Sequence, residues 1–104
     1  MRFSGYQSFL KGLVLVAVLS VTACETAPPV QEMSDARQAI AVAKEAGAEE
    51  FAAFHLKAAE DYLASAEEAL NKRSYSEARR DAKHAKMKAL DALKASESSA
   101  ATDD

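Results

Sequence analysis

Leu56, Ala59, Leu63, Ala66 and Leu70 follow one another at intervals of three, four, three and four residues. Only an α-helix brings positions so spaced onto one face. Ala52 extends the stripe backward, and Ala58, Tyr62 and Ala69 widen it on one side. The buried face is then broad rather than a narrow coiled-coil seam. Met33, Ala36, Ile40 and Ala43 form an earlier stripe with the same period. A later one consists of Tyr75, Ala78, Ala82, Ala85, Ala89 and Ala92, flanked by Leu90 and Leu93. A face made so largely of alanine lets a neighbouring helix come close, but it yields little apolar area at roughly 25 cal/mol per Å².

Local signals divide the stripes into three helices. Pro29 suits a first helical turn, and Glu32 and Asp35 lie where the helix dipole favours negative charge, so the first helix starts near Val30. Gly47 is its stop, because glycine alone enters the left-handed cap conformation without strain. The second helix starts between Glu49 and Ala53 and runs to about Lys72, with Phe51 and Phe54 placed to close the end of a bundle near Gly47. Ser74-Tyr75-Ser76-Glu77 has the form of a capping box and opens the third helix. After Lys94 the composition turns to Ser, Ala, Thr and Asp, which predicts a disordered tail over 96–104. The expected fold is therefore all-α: three antiparallel helices over 30–95, as a helical hairpin or three-helix bundle.

The first 29 residues are of another kind. Met1 to Lys11 carries Arg2 and Lys11 with no acidic residue, and an apolar stretch from Gly12 to Val21 follows, too short for the roughly 20 residues that cross a bilayer. Val21-Thr22-Ala23-Cys24 then ends it with small residues and the single cysteine of the chain. This is the pattern of a bacterial lipoprotein signal. Cleavage between Ala23 and Cys24 would remove 1–23 and leave Cys24 with a thioether-linked diacylglyceryl group. The alternatives are a free buried thiol or an uncleaved anchor, and neither gives the surrounding small residues a role. Residues 24–29 hold both prolines of the chain and form an extended tether at about 3.1 Å per residue, so the domain sits close to the membrane. Glu25 occupies the position where aspartate favours inner-membrane retention in enteric lipoproteins. Its identity points to the periplasmic face of the outer membrane.

Chemistry has few candidates. His55 and His84 have no His, Cys or carboxylate partner at a metal-site spacing, so no metal and no cofactor is expected. The pairs Glu49-Glu50, Glu60-Asp61 and Glu67-Glu68 are adjacent on helices and diverge by about 100°, which suits a solvated face rather than one substrate. No serine or cysteine stands in a nucleophile context, and the chain is not expected to be an enzyme or to have a small-molecule substrate.

Charge is the uneven feature. Glu25 to Asn71 holds ten acidic and three basic residues, whereas Lys72 to Lys88 holds seven basic and two acidic. Arg79, Lys83 and Lys86 share one face of the third helix and form a candidate interaction strip. Such a strip either complements the acidic flanks of the other helices, the simpler account, or meets an anionic lipid, lipopolysaccharide or an acidic partner. Net acidity, −3 over the whole chain, and the export signal argue against nucleic acid.

The proline-preceded start, Ala36-Arg37 with Ile40 and Ala43, the Ala46-Gly47-Ala48 break, Leu56 with Ala59, Leu63 with Ala66, and the ladder Ala78, Ala82, Ala85 and Ala89 carry a resemblance. Over about Pro28 to Ala95 the chain resembles the domain-of-unknown-function 4398 family, found in small alanine-rich lipoproteins of Gram-negative bacteria. The resemblance implies no established activity. Leu63, Ala66, Leu70, Tyr75, Ala78 and Ala82 also resemble one tetratricopeptide helix pair, which implies similar packing. Unlike the abundant murein lipoprotein, the sequence ends Ala-Thr-Asp-Asp without a C-terminal lysine. The expected role is a lipid-anchored envelope lipoprotein whose helical domain binds another envelope component, the alternative being a self-associating structural lipoprotein that mates through its alanine stripes.

Overall fold

A computed structural model describes residues 27–102. The expected signal peptide, 1–23, and the expected lipidation site Cys24 with Glu25 lie outside the described part. Four helices follow in order: α1 Val30–Glu45, α2 Ala48–Phe51, α3 Ala53–Asn71 and α4 Tyr75–Thr102. The three long ones run up, down and up. Arg37 pairs with Glu67 and Lys44 with Glu60, which sets α1 antiparallel to α3. Ser65 meets Asp81 and Tyr62 meets His84, so α3 is antiparallel to α4. Helices α1 and α4 then lie side by side and parallel, joined at their starts by Glu32 and Arg79. The molecule is an all-α bundle, as the stripes require.

The stripes do face inward. Met33, Ala36, Ile40 and Ala43 are buried on α1, Leu56, Ala59, Ala66 and Ala69 on α3, and Ala78, Ala82, Ala85, Ala89 and Ala92 on α4. Ile40, Ala43, Ala48, Ala52, Leu56, Ala59, Ala89 and Ala92 make one core cluster, and Met33, Ala66 and Ala82 a second. Leu63 packs against both and is itself only half-buried. Alanine at most inward positions of α4 lets the backbones of α1 and α3 approach it closely, which matters because interiors are close-packed.

The helix ends are made differently at the two turns. Gly47 stops α1 with φ +87°, and its amide donates to the Lys44 carbonyl at 3.0 Å. After Asn71 the chain closes α3 with a Schellman motif: the Ser74 amide donates to Ala69 O at 2.8 Å and the Arg73 amide to Leu70 O at 3.0 Å. The left-handed residue of that motif is Arg73, at φ 61°, a place glycine usually holds.

Four expectations are corrected. The capping box does not form, because the Ser74 amide, which Glu77 would have capped, is already taken by Ala69, and Glu77 turns to Arg80 instead. A separate short helix, α2, precedes α3; the break falls at Ala52, φ −145° and ψ 39°, with Ala48 and Ala52 both turned into the same core cluster. Phe54 does not close the bundle end: it is 83% exposed, and only Phe51 lies over Gly47, its ring within 3.3 Å of where a Cβ would stand. Finally, 96–102 is not a disordered tail. Helix α4 runs to Thr102, Ala95 packs against the larger cluster, and Ser96 is buried with its hydroxyl donating to the Ala92 carbonyl at 2.8 Å.

Candidate functional site

The strip on α4 is split by the fold. Arg79 lies largely covered at the α1 seam, its Nε 3.4 Å from a Glu32 carboxylate oxygen, and its terminal amine donates to the Ala27 carbonyl at 2.9 Å. Lys83 is exposed and makes no ion pair among the described residues. Lys86 reaches a groove between α1 and α4, which it lines together with Asp35, Gln38, Ala39, Val42, Leu90 and Leu93. The three residues share a helix face, as their spacing demands, yet each has a different neighbour.

That groove has a largely apolar lining. Val42 is 41% exposed and Leu90 40%, and Met87, one turn before Leu90 on the outer side of α4, is 61% exposed. Single exposed apolar residues are ordinary on any protein. Here Val42 and Leu90 line one hollow, because α1 and α4 are parallel and no helix fills the space between them, while Met87 lies outside it. Spacing places Leu90 and Leu93 on the flank of a buried stripe and does not single out Val42. The signal for Val42 was its place away from the Met33–Ile40 stripe, on a face of α1 that otherwise carries Gln31, Asp35 and Gln38.

A second cluster sits on the opposite side of α4. Asp81 is buried, and one carboxylate oxygen accepts the Ser65 hydroxyl at 2.7 Å while the other lies 3.6 Å from Arg80 Nε. The ring of Tyr62 meets the edge of His84 at 5.1 Å and 87°. Asp81 was not read from the sequence, although a carboxylate three residues after Ala78 falls inside the alanine stripe. A buried carboxylate needs donors, and Ser65 on the facing helix supplies one. The arrangement holds α3 to α4 at a fixed register.

The adjacent acidic pairs behave as two separate faces. Glu60 reaches Lys44 on α1 at 3.2 Å while Asp61 bonds Lys57 along α3 at 3.3 Å. Glu67 likewise reaches Arg37 on α1 at 3.3 Å, and Glu68 bonds Lys72 at 3.0 Å. The hydrogen bond that Lys72 donates to Glu68, and then the Glu68 charge, raise the Lys72 amine above its ordinary value. His55 stacks edge-on against Phe54 and His84 against Tyr62. Among the described residues no group of three or more His, Cys, Asp or Glu could hold a metal ion, and no helix is long and apolar enough to cross a membrane.

Neither a comparison with curated proteins nor one with solved structures finds a match. The family described as Domain of unknown function (DUF4398) matches residues 31–104, a span that takes in every helix of the bundle, and the chain belongs to it.

Proposed function

We propose that the protein is a lipid-anchored lipoprotein of the cell envelope, held by acyl chains on Cys24 at the periplasmic face of the outer membrane, whose helical domain is a non-catalytic binding module for another envelope protein. The lipobox supports the anchor. The observation that carries the binding role is the open apolar groove between α1 and α4, lined by Ala39, Val42, Leu90 and Leu93 with Lys86 and Asp35 at its rim. Three long helices with an unfilled hollow between the two parallel ones are three-quarters of a four-helix bundle, and an amphipathic helix laid in the groove would complete it.

The alternative, a self-associating structural lipoprotein, would have to use the same groove. Its alanine stripes are fully buried within one chain, so copies cannot mate through them without opening the bundle. Mass measurement of residues 25–104 separates the two readings: a monomer favours the binding module, a stable trimer the assembly.

Changing Val42 and Leu90 together to Glu tests the groove. Both side chains already meet solvent, so the melting temperature should change little, while co-purification of the partner from envelope extracts should fall by an order of magnitude or more. Retained co-purification would remove the groove from the mechanism. Cys24→Ala tests the anchor separately, by loss of labelled fatty acid and release from the membrane fraction.

A further inference from the structure

If Cys24 carries lipid, as proposed above, the fold decides which end of the bundle that lipid presents to the membrane. The tether does not leave the domain freely. Pro29 is fully buried, the Met33 amide donates to its carbonyl at 3.0 Å, and Arg79 holds the Ala27 carbonyl at 2.9 Å. Arg79 is fixed in turn by Glu32. The first clamped residue thus stands three positions after Cys24, a reach of at most about 11 Å.

The end so held against the bilayer is the one where α1 starts, α3 finishes and α4 begins. Lys72, Arg73 and Arg80 are exposed there. Arg73 stands at the turn itself and makes no ion pair among the described residues, and Glu68 and Glu77 flank Lys72 and Arg80. The opposite end, around Gly47, carries Glu45, Glu49 and Glu50, all exposed and without ion pairs among the described residues. A leaflet of phosphate headgroups attracts the first end and repels the second.

We propose that the α3–α4 turn, through Lys72, Arg73 and Arg80, is a membrane-contact surface for lipid phosphates, and that Arg79 is the positioning residue that aims it by clamping the tether. The domain then stands with the Gly47 end, including exposed Phe54, directed away from the membrane, and the α1–α4 groove runs outward along its side. An envelope partner would meet the groove from the side or from above rather than from the bilayer.

The test uses the full chain, lipidated and reconstituted into phosphatidylglycerol-containing vesicles, with its acylation checked by mass. Single cysteines replace Asn71 and Phe54, which lie at opposite ends of α3 about 26 Å apart, and each is labelled with a fluorophore; Cys24 is blocked by its thioether. A quencher carried on lipid headgroups should quench the label at 71 several-fold more than the label at 54. Reversal of Lys72, Arg73 and Arg80 to Glu should narrow that ratio, and so should Arg79→Ala, with acylation unchanged in both.

Equal quenching at the two positions in fully acylated protein would overturn the proposed orientation while leaving the anchor intact. An unchanged ratio in the charge-reversed chain would overturn the phosphate contact. A chain without acyl groups would overturn this proposal and the anchor together, and mass alone reports that outcome.

Discussion

Gly47 and Arg73 occupy the same kind of position, the residue after a helix end with positive φ, and the chain filled them differently. For an L-residue with a side chain the left-handed conformation costs roughly 1–2 kcal/mol. Gly47→Ala should therefore destabilise the domain by about that much, with some addition because the new Cβ would lie 3.3 Å from the Phe51 ring. Arg73→Gly should do the reverse. Relief of strain is partly offset by the greater freedom of glycine in the unfolded chain, leaving a gain of a few tenths to about 1 kcal/mol. Thermal melts of residues 25–104 check both, at roughly 4–8 °C per kcal/mol for a domain of this size. A fall in melting temperature for Arg73→Gly would show that the arginine side chain holds the turn by contacts that outweigh its backbone strain. Gly47 was legible in the sequence because glycine advertises the conformation. Arg73 was not, since nothing in an arginine announces a left-handed backbone, and Ser74 and Glu77 drew attention to a capping box whose amide the Schellman closure had already claimed.

At the scale of helices, spacing determined which faces are buried but not how deeply. Leu56 and Leu63 belong to one stripe, yet Leu56 is buried whereas Leu63 is half-buried at the junction of the two clusters. Leu56→Ala should cost on the order of 2–5 kcal/mol, most of the stability such a domain has, and Leu63→Ala roughly 1–3 kcal/mol. Urea unfolding orders the two; a larger loss at Leu63 would mean that the junction, rather than the larger cluster, is the centre of the core. The same distinction explains the C-terminal end of α4. Composition after Lys94 is polar and reads as a tail, but Ala95 and Ser96 continue the inward face of α4, and small side chains fit there as they do at Ala89 and Ala92. A serine buried by its neighbours satisfies its hydroxyl on the preceding turn, which composition cannot reveal. The Ala52 break is hidden for a similar reason, because alanine is the best helix former and marks no boundary.

For the whole molecule, the question is what holds parallel α1 against α4 when the groove between them stays open. Beneath the groove Ile40 and Ala43 of α1 share a core cluster with Ala89 and Ala92 of α4, and the Arg79–Glu32 pair with the Arg79–Ala27 hydrogen bond closes the lower end of the seam. The contrast between an acidic first half and a basic α4, visible in the sequence, thus becomes a local contact at Arg79 but not at Lys83, whose charge meets solvent. Reversing Arg79, Lys83 and Lys86 one at a time should separate these roles. Arg79→Glu sets a carboxylate beside Glu32 and releases the tether, at a cost of about 1–2 kcal/mol, more than an exposed ion pair is worth because like charges then adjoin in a partly covered seam. Lys83→Glu should leave the melting temperature within about 2 °C of the parent, as surface substitutions away from packed features usually change stability by under 0.5 kcal/mol. Lys86→Glu brings a second carboxylate to a groove that Asp35 already lines, so its effect should appear mainly in partner binding and should weaken as salt is raised. Melting temperature and co-purification at two salt concentrations check all three variants. If Lys83→Glu destabilised as much as Arg79→Glu, the basic face would act on the bundle as a diffuse field, and the specific clamp at the tether would lose its support.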